Sequence, residues 1–442
     1  MLKKKLSGVI PPHLKNTANF ESEIMLPPKL VTIPLSMHIG APAVCVVKPG
    51  DRVLVGQLIA ESNGAVSAPV HASVSGTVTK ITEYLAPNGR TCPAVVIESD
   101  GEMQVSPDVK PPIVTDRDSF IKAVRESGCV GLGGAGFPTS VKLSANGASI
   151  DEIIVNGAEC EPYITSDTRT MAERSELIEL GCELLTKYLN VEKIYIAVEK
   201  SNREAIKSMR RTAERLSSTE LKVLPSMYPQ GGEKVLIYNV TGKKVPFGKL
   251  PADVGTVVIN CTTLAVIAEY VKTGIPLVSK CVTVDGSAVK TPKNVVVPIG
   301  TSVGDVFDFC GGFAEAPEKV LYGGLMMGIC VPSLDMPVLK NTNAILALGK
   351  KEATAPPQTA CLRCGKCVSA CPLGLNPPAI ASALDAGNAD ALETLCVKLC
   401  MECGSCAFIC PAGRPIVQNN KLAKLFLTEH KPERKGETKQ NA

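Results

Sequence analysis

Cys361-Leu-Arg-Cys364-Gly-Lys-Cys367-Val-Ser-Ala-Cys371-Pro372 is followed, within thirty residues, by Cys400-Met-Glu-Cys403-Gly-Ser-Cys406-Ala-Phe-Ile-Cys410-Pro411. Both runs read C-x2-C-x2-C-x3-C-P, the thiolate spacing that holds two [4Fe–4S] clusters. Three cysteines within one short loop cap three irons of a cubane. The fourth is carried away by the turn that follows and ligates the other cluster. The expected ligand sets are Cys361, Cys364, Cys367 and Cys410 for one [4Fe–4S] cluster, and Cys400, Cys403, Cys406 and Cys371 for the second. Zinc is the plainer alternative for paired C-x2-C steps. It takes four ligands per ion and gives no reason for a third cysteine at the same step or for the trailing proline. Cys396 fits neither run and reads as a buried helix residue.

The two runs match the spacing of bacterial two-cluster ferredoxins. Between them, 379–386 and 390–399 read as helices, which favours a helical ferredoxin module over a compact β-type one. Cluster thiolates need a reducing compartment, so the eighteen cysteines argue for the cytoplasm rather than for disulfides. At 442 residues the chain holds about three domains. A net charge of +4, aromatic content of 4% and no Trp argue against nucleic acid. The longest apolar stretch, 254–268, is broken by Asn260, Thr262 and Thr263, so no transmembrane segment is expected. The Met1-Leu-Lys-Lys-Lys start lacks the apolar region of a secretory signal.

Upstream, residues 1–29 form a Pro-rich, irregular arm. Residues 30–105 carry short β-type runs (44–47, 53–55, 57–60, 77–81) bounded by Pro49-Gly50-Asp51, Asn63-Gly64 and Ser75-Gly76. This patterning resembles a biotinyl/lipoyl-type barrel-sandwich hybrid, without the lysine that would carry biotin or lipoate. His71 reads as a hydrogen-bonded structural histidine. Residues 115–272 alternate helix and strand: helix 119–126, strand 152–155, one long helix 170–189 and strand 193–198 are expected. A helix at 203–216 follows, capped from Ser201. That alternation points to an α/β core. Residues 275–350 return to β pattern and look like a β-grasp (SLBB) fold. The ferredoxin-like module occupies 356–427, with an amphipathic helix at 416–427 (Ile416, Val417, Leu422, Leu425, Leu427). A charged, disordered tail, 428–442, ends the chain. The expected fold class is therefore multidomain α+β and α/β.

Gly131-Leu-Gly-Gly-Ala-Gly-Phe-Pro-Thr supplies four glycines in six residues, which lets backbone N–H groups approach an anion closely. It is not G-x-x-x-x-G-K-[ST], which disfavours ATP. The stretch 131–143 resembles the flavin loop of the FMN-carrying, NADH-oxidising subunit of respiratory complex I. Three further stretches resemble that family in the same order: 155–163 (VNGAECEPY), 228–234 (YPQGGEK) and 257–264 (VVINCTTL). With the barrel-sandwich in front and the double ferredoxin behind, residues 30–426 resemble the C subunit of Rnf complexes, ion-translocating ferredoxin:NAD oxidoreductases.

The resemblance implies FMN, NAD(H) and two [4Fe–4S] clusters as cofactors. Gly131, Gly133 and Gly134 would face FMN, Lys142 would place a positive charge beside it, and Asn156, Glu159, Asn260 and Tyr228 would hydrogen-bond it. Phe137, Glu161 and Glu233 would contact the nicotinamide nucleotide, carboxylates suiting ribose hydroxyls and repelling the extra phosphate of NADP. No side chain is expected to be catalytic itself, since the hydride chemistry belongs to the flavin; Glu161 and Lys142 are the nearby candidates. Leu132 and Ala145 depart from the family's arginine and aromatic, and Ala158 removes an expected carboxylate. Cys160 lies between two carboxylates and reads as packing. The expected partners are the other subunits of a membrane redox pump and a ferredoxin-like carrier. Attachment to the cytoplasmic face of the membrane would come through those subunits. Two alternatives stay open: a soluble microcompartment-type cobalamin reductase, and a non-catalytic cluster-bearing adaptor.

Overall fold

A computed structural model describes residues 6–86 and 89–430. Near the N-terminus, strands Leu30–Pro34, Thr91–Ser99, Gly76–Leu85 and Arg52–Val53 form an antiparallel sheet. Strands Val44–Cys45, Leu58–Glu61 and Val70–His71 form a second. Alternate residues of the two layers (Val31, Ile33, Val53, Ile59, Val70, Val78, Val95, Ile97) are fully buried, as period-2 patterning requires. His71 is packed in this core, but its Nδ1 has no hydrogen-bond partner among the described residues, which corrects the hydrogen-bonded reading. Burial first, then the Lys340 charge, pushes the imidazole down to about 3, so it stays neutral.

The next unit is a parallel sheet in the order Thr219–Leu224, Lys193–Glu199, Glu152–Gly157, Thr256–Asn260. The chain moves outward from the Glu152 strand to one side, then returns to place Thr256–Asn260 on its other side. That reversal is a topological switch point, and in open α/β sheets ligands bind outside the strands' carboxyl ends there. Asn156 and Asn260 are direct register partners at those ends.

The single helix expected at 170–189 is two, Ser166–Glu173 and Ser175–Leu189. Arg174 leaves helical geometry (φ −124°, ψ 31°), and its guanidinium reaches Glu269 at 2.6 Å. Helix Arg203–Arg215 is capped by Asn202, not Ser201: Asn202 Oδ1 accepts from Ala205 N at 3.3 Å.

The third unit is a six-stranded sheet over Val282, Val284, Val295, Val297, Phe307 and Ile345, all fully buried. Its edge is strand Glu23–Ile24, parallel to Lys293–Pro298. The N-terminal arm is thus tied into the sheet rather than irregular throughout, because the edge N–H and C=O groups need partners. Lys340 knits three units: its Nζ donates to Pro69 O (2.6 Å) and Gly128 O (2.7 Å), and burial pushes it down to about 7.

The C-terminal module is helical: Lys366–Ser369, Pro377–Asp385, Ala389–Thr394, Ser405–Phe408 and Ile416–Glu429. Asn376 and Asn388 cap the second and third through Ala379 N and Ala391 N. Two readings change here. Cys396 is half-buried in a left-handed bend (φ 53°) after a helix, not inside one. In the last helix Ile416, Val417, Asn420, Ala423 and Leu427 face inward, while Leu422 and Leu425 are exposed. The 416/420/423/427 spacing fits a helix turn, and 422 and 425 fall on the opposite side. That helix runs to Glu429; beyond His430 the expected disordered tail lies outside the described residues.

Candidate functional site: a glycine cradle and two thiol clusters

The glycine loop is closed by Gly131 N donating to Phe137 O at 2.9 Å. Three outside groups pin it. Leu132 N donates to Thr263 Oγ1 (3.0 Å), the buried Lys280 Nζ donates to Leu132 O, and Asn341 Nδ2 donates to Gly134 O (3.1 Å). Gly133 passes so close to Asn260 that a Cβ would lie 2.5 Å from Asn260 Nδ2; at Gly134 a Cβ would meet open space. Gly133, Gly134 and Ala135 are exposed, half-buried Phe137 follows, and Leu132 is buried beneath. This is a shallow backbone-lined cradle at the switch point, of the kind that admits a flat, phosphate-bearing group.

Around it stand several of the expected residues. Asn260 Oδ1 caps helix Cys261–Thr273 through Thr263 N (3.0 Å), and its Nδ2 donates to Asp167 Oδ2 (2.8 Å). Asn156 Nδ2 donates to Gly231 O (3.0 Å), and its Oδ1 accepts from Ala158 N (3.0 Å). Lys142 Nζ donates to Glu233 Oε1 (2.8 Å) and Val258 O (3.2 Å), so the two charged residues stand together. The lysine side chain is one third exposed, as is that of Glu233 to a slightly greater extent.

Three others turn elsewhere. Glu159 caps helix Ser166–Glu173, accepting from Asp167 N (2.8 Å), Thr168 N (3.3 Å) and Thr168 Oγ1 (2.7 Å); burial raises its carboxyl. Glu161 accepts from Met326 N and Met327 N, both at 3.0 Å, in the third unit, and burial pushes it up to about 7. Tyr228 is buried, and its Oη donates to Cys403 O at 2.6 Å. Cys160 accepts from Gly231 N (3.4 Å), and burial pushes its thiol up to about 12.

Sequence reasoning missed the supports. Asp167 also accepts from Thr262 Oγ1 (2.6 Å), and so orients the start of the Asn260 helix. Lys15, from the N-terminal arm, donates to Glu159 O (2.7 Å), Glu161 O (2.8 Å) and Ile164 O (2.5 Å), shaping the acidic loop. A signal existed for Thr262 and Thr263, which lie in the quoted 257–264 stretch. None existed for Lys15 or Lys280, whose partners are backbone carbonyls distant in sequence.

The cysteines gather across the runs. Cys371, Cys400, Cys403 and Cys406 line one open-sided hollow, with Leu373, Leu375, Met401, Val417 and Asn420 around them. Asn420 Nδ2 donates to Cys400 Sγ and Leu375 N to Cys371 Sγ, each at 3.4 Å. Burial, then the neighbouring Cys400, Cys403 and Cys371, pushes the Cys406 thiol up to about 12. Among the described residues no group of three or more His, Cys, Asp or Glu side chains is placed to hold a single metal ion. Cys367 and Cys410 pack together beside Cys406, Ile416 and Val417, while Cys361 and Cys364 sit in an exposed loop. Arg363 N donates to Cys361 Sγ at 3.4 Å. Cysteines set around a cavity, with N–H donors to sulfur, fit iron–sulfur clusters.

A glycine loop at a switch point and two gathered cysteine runs fit the class of electron-transfer flavo-iron–sulfur proteins. The family models agree: residues 4–102 match the RnfC barrel sandwich hybrid domain, 124–269 the Nuo51 FMN-binding domain and 281–329 the SLBB domain. Among curated proteins the chain is 44% identical to the C subunit of the proton-translocating ferredoxin:NAD(+) oxidoreductase complex of Clostridium ljungdahlii, over 85% of this chain and 83% of that one. It is 44% identical to the C subunit of the Na(+)-translocating ferredoxin:NAD(+) oxidoreductase complex of Acetobacterium woodii, over 85% and 86%. It is 40% identical to the C subunit of the ion-translocating oxidoreductase complex of Rhodobacter capsulatus, over 94% and 82%. Among solved structures, an NAD+-reducing [NiFe]-hydrogenase in its H2-reduced state shares the fold. Its TM-score is 0.51 at 20% identity, over 71% of this chain and 63% of that one. The chain belongs to the RnfC family, the C subunits of Rnf complexes. That membership favours neither the cobalamin reductase nor the adaptor alternative.

Proposed function

We propose that this chain exchanges hydride with NAD(H) at a bound FMN and passes single electrons, through two [4Fe–4S] clusters, to or from the other subunits of an ion-translocating membrane complex. FMN supplies the exchange between two-electron and one-electron chemistry, and the clusters relay single electrons. The observation that carries this reading is the Tyr228 Oη to Cys403 O hydrogen bond, which seats the cysteine cavity against the flavin-type domain. Met401 adds to that junction: a Cβ on Gly232 would lie 2.2 Å from Met401 Cε.

The residues then have separable tasks. The loop N–H groups of Gly131 to Gly134 would receive the flavin, and the Asn156 and Asn260 amides at the strand ends would orient it. Lys142, held by Glu233, would keep positive charge beside it. Glu233, at the first turn of its own helix, is the carboxylate best exposed for a ribose hydroxyl. Cys371, Cys400, Cys403 and Cys406 would hold the cluster nearer the flavin, and Cys361, Cys364, Cys367 and Cys410 the outer one. No helix among the described residues is long and apolar enough to cross a membrane. Partner subunits would therefore hold the chain to the cytoplasmic face.

The test is anaerobic reconstitution with FMN, iron and sulfide. Retained flavin, about eight irons per chain and NADH-dependent bleaching of flavin and cluster absorbance are expected. Clusters without flavin, or flavin that NADH does not bleach, would defeat the reading.

A further inference from the structure

Two neighbouring units hold the glycine loop by alternate carbonyls. Lys280 Nζ, on strand Ser279–Asp285 of the third unit, donates to Leu132 O. Asn341 Nδ2, from the same unit, donates to Gly134 O at 3.1 Å, and Ile39 N, from the barrel-sandwich, donates to Gly136 O at 3.1 Å. In a trans peptide the N–H points opposite to its C=O. Holding the carbonyls of Leu132 and Gly134 on the third unit therefore turns the N–H groups of Gly133 and Ala135 away from it. Neither N–H has a partner among the described residues, and both residues are exposed. Lys280 does more than hold a carbonyl. It is 4% exposed, and Leu132 O is its one acceptor among the described residues, whereas Lys340 has two carbonyls and Lys15 has three. An ammonium carries three donors, and burying its charge with one acceptor is costly; the neutral Asn341 holds Gly134 without that cost. The carboxylate that acts on Lys280, Asp167, is engaged by Asn260 Nδ2 and Thr262 Oγ1 instead. Burial pushes Lys280 down to about 8, which leaves it mostly charged at neutral pH. Lys142, by contrast, is matched by Glu233 at 2.8 Å.

We propose that Lys280 and Asn341 are positioning residues for the flavin: they aim the Gly133 and Ala135 N–H groups into the cradle, and the unpaired Lys280 charge beneath the loop favours reduced over oxidised flavin. The inference rests on the proposed function and assigns the tuning of that site to residues of another unit. Negative charge gathers on the flavin ring when it is reduced. Donors and cations fixed in advance stabilise such charge most where water is excluded. A charge is felt more strongly from a buried position than from an exposed one, and a matched pair largely cancels its own field. Lys280 therefore outweighs Lys142, which is partly exposed and paired.

The test is flavin binding by the full chain, reconstituted with iron and sulfide, with FMN as probe in its oxidised and its dithionite-reduced form. Lys280→Gln keeps a donor for Leu132 O and removes the charge. It is expected to weaken reduced FMN about tenfold more than oxidised FMN, equal to a fall of about 30 mV in the two-electron midpoint potential. Lys280→Arg should restore the ratio, and Lys142→Met should change it by less. Asn341→Ala, which removes a neutral donor at the partly exposed side of the loop, should weaken both forms alike, by about threefold or more. Equal loss of both forms in Lys280→Gln would make Lys280 a purely structural residue and overturn the inference, as would a larger change of ratio in Lys142→Met. Asn341→Ala needs no change in the core, so it keeps the aimed loop testable should Lys280→Gln fail to fold. FMN affinity within about twofold of the unaltered chain would then overturn it. Dithionite replaces NADH throughout, so failure of NADH to bleach bound flavin would strike the proposed function and leave this measurement standing. An unaltered chain that retains no FMN would strike both.

Discussion

The two cysteine runs have the same spacing and opposite surroundings. Cys361 and Cys364 are exposed; Cys403 and Cys406 are each 8% exposed. Tyr228 bonds the Cys403 carbonyl, and a Cβ on Gly404 would lie 2.8 Å from Met326 O. The second run is therefore packed between the flavin-type domain and the third unit, while the first faces outward. Spacing tells which atom is bound. Hydrogen bonds to sulfur, burial and solvent exposure set the potential and the partner. Two sites of one ligand grammar can thus be the inner and outer ends of one relay.

The largest break in this comparison is expected from single ligand removals. Cys403→Ser and Cys364→Ser should each lose about half the iron. They should differ in what NADH still reaches. Cys364→Ser retains the inner cluster, so NADH should still produce a reduced-cluster signal in electron paramagnetic resonance. Cys403→Ser retains only the outer cluster, and that signal should be lost while flavin bleaching persists. Equal behaviour of the two variants would contradict the inner and outer assignment.

A smaller effect concerns pH. Around the inner run lie two carboxyls raised by burial, Glu161 and Glu199, each to about 7. In the unfolded chain both titrate near the ordinary glutamate value. At these two groups the folded state therefore holds more protons between about pH 4.5 and 7, and their contribution to stability falls as pH rises through that window. Each contributes up to about 3 kcal/mol of that loss. Glu161→Gln should remove one of these contributions and reduce the drop in urea midpoint between pH 5.5 and 8, read by cluster absorbance. An undiminished drop would show that Glu161 is not the group that titrates.

Much of the architecture was legible because its signals are local. The cysteine spacing, the glycines of 131–136, the β-type runs at 57–60 and 77–81 and the strand expected at 152–155 each depend on neighbours in sequence. Asn156 and Asn260 were named from a resemblance, and their pairing across the switch point supplies the physical reason for both. What stayed hidden was long-range. The Arg174 break reflects a charge partner ninety-five residues away, Glu269. The fold of the arm depends on a sheet edge at 293–298. Glu159, Glu161 and Tyr228 were read as ligand contacts, yet their side chains meet a helix end, a loop of the third unit and a cluster segment. A single sequence marks a polar residue in a functional stretch; it does not mark which way the side chain turns.

Tyr228 gives the finest probe of the junction between the two regions. Tyr228 is 1% exposed, so Tyr228→Phe keeps the shape and removes a hydroxyl that donates to Cys403 O and also lies beside the Glu161 carboxyl. A buried carbonyl left without its partner costs about 1–3 kcal/mol. That cost falls on the contact between flavin-type domain and inner run, and not on the exposed outer loop of Cys361 and Cys364. The expected result is a lower urea midpoint for loss of the inner cluster signal, with the outer cluster's exposure to small oxidants unchanged. FMN affinity separates two roles for this residue. If Tyr228 only joins the domains, flavin binding in Tyr228→Phe should match the unaltered protein within about twofold. A larger loss of flavin would mean that the hydroxyl also serves the cradle, and that the inner cluster and the flavin share a single hydrogen-bond donor.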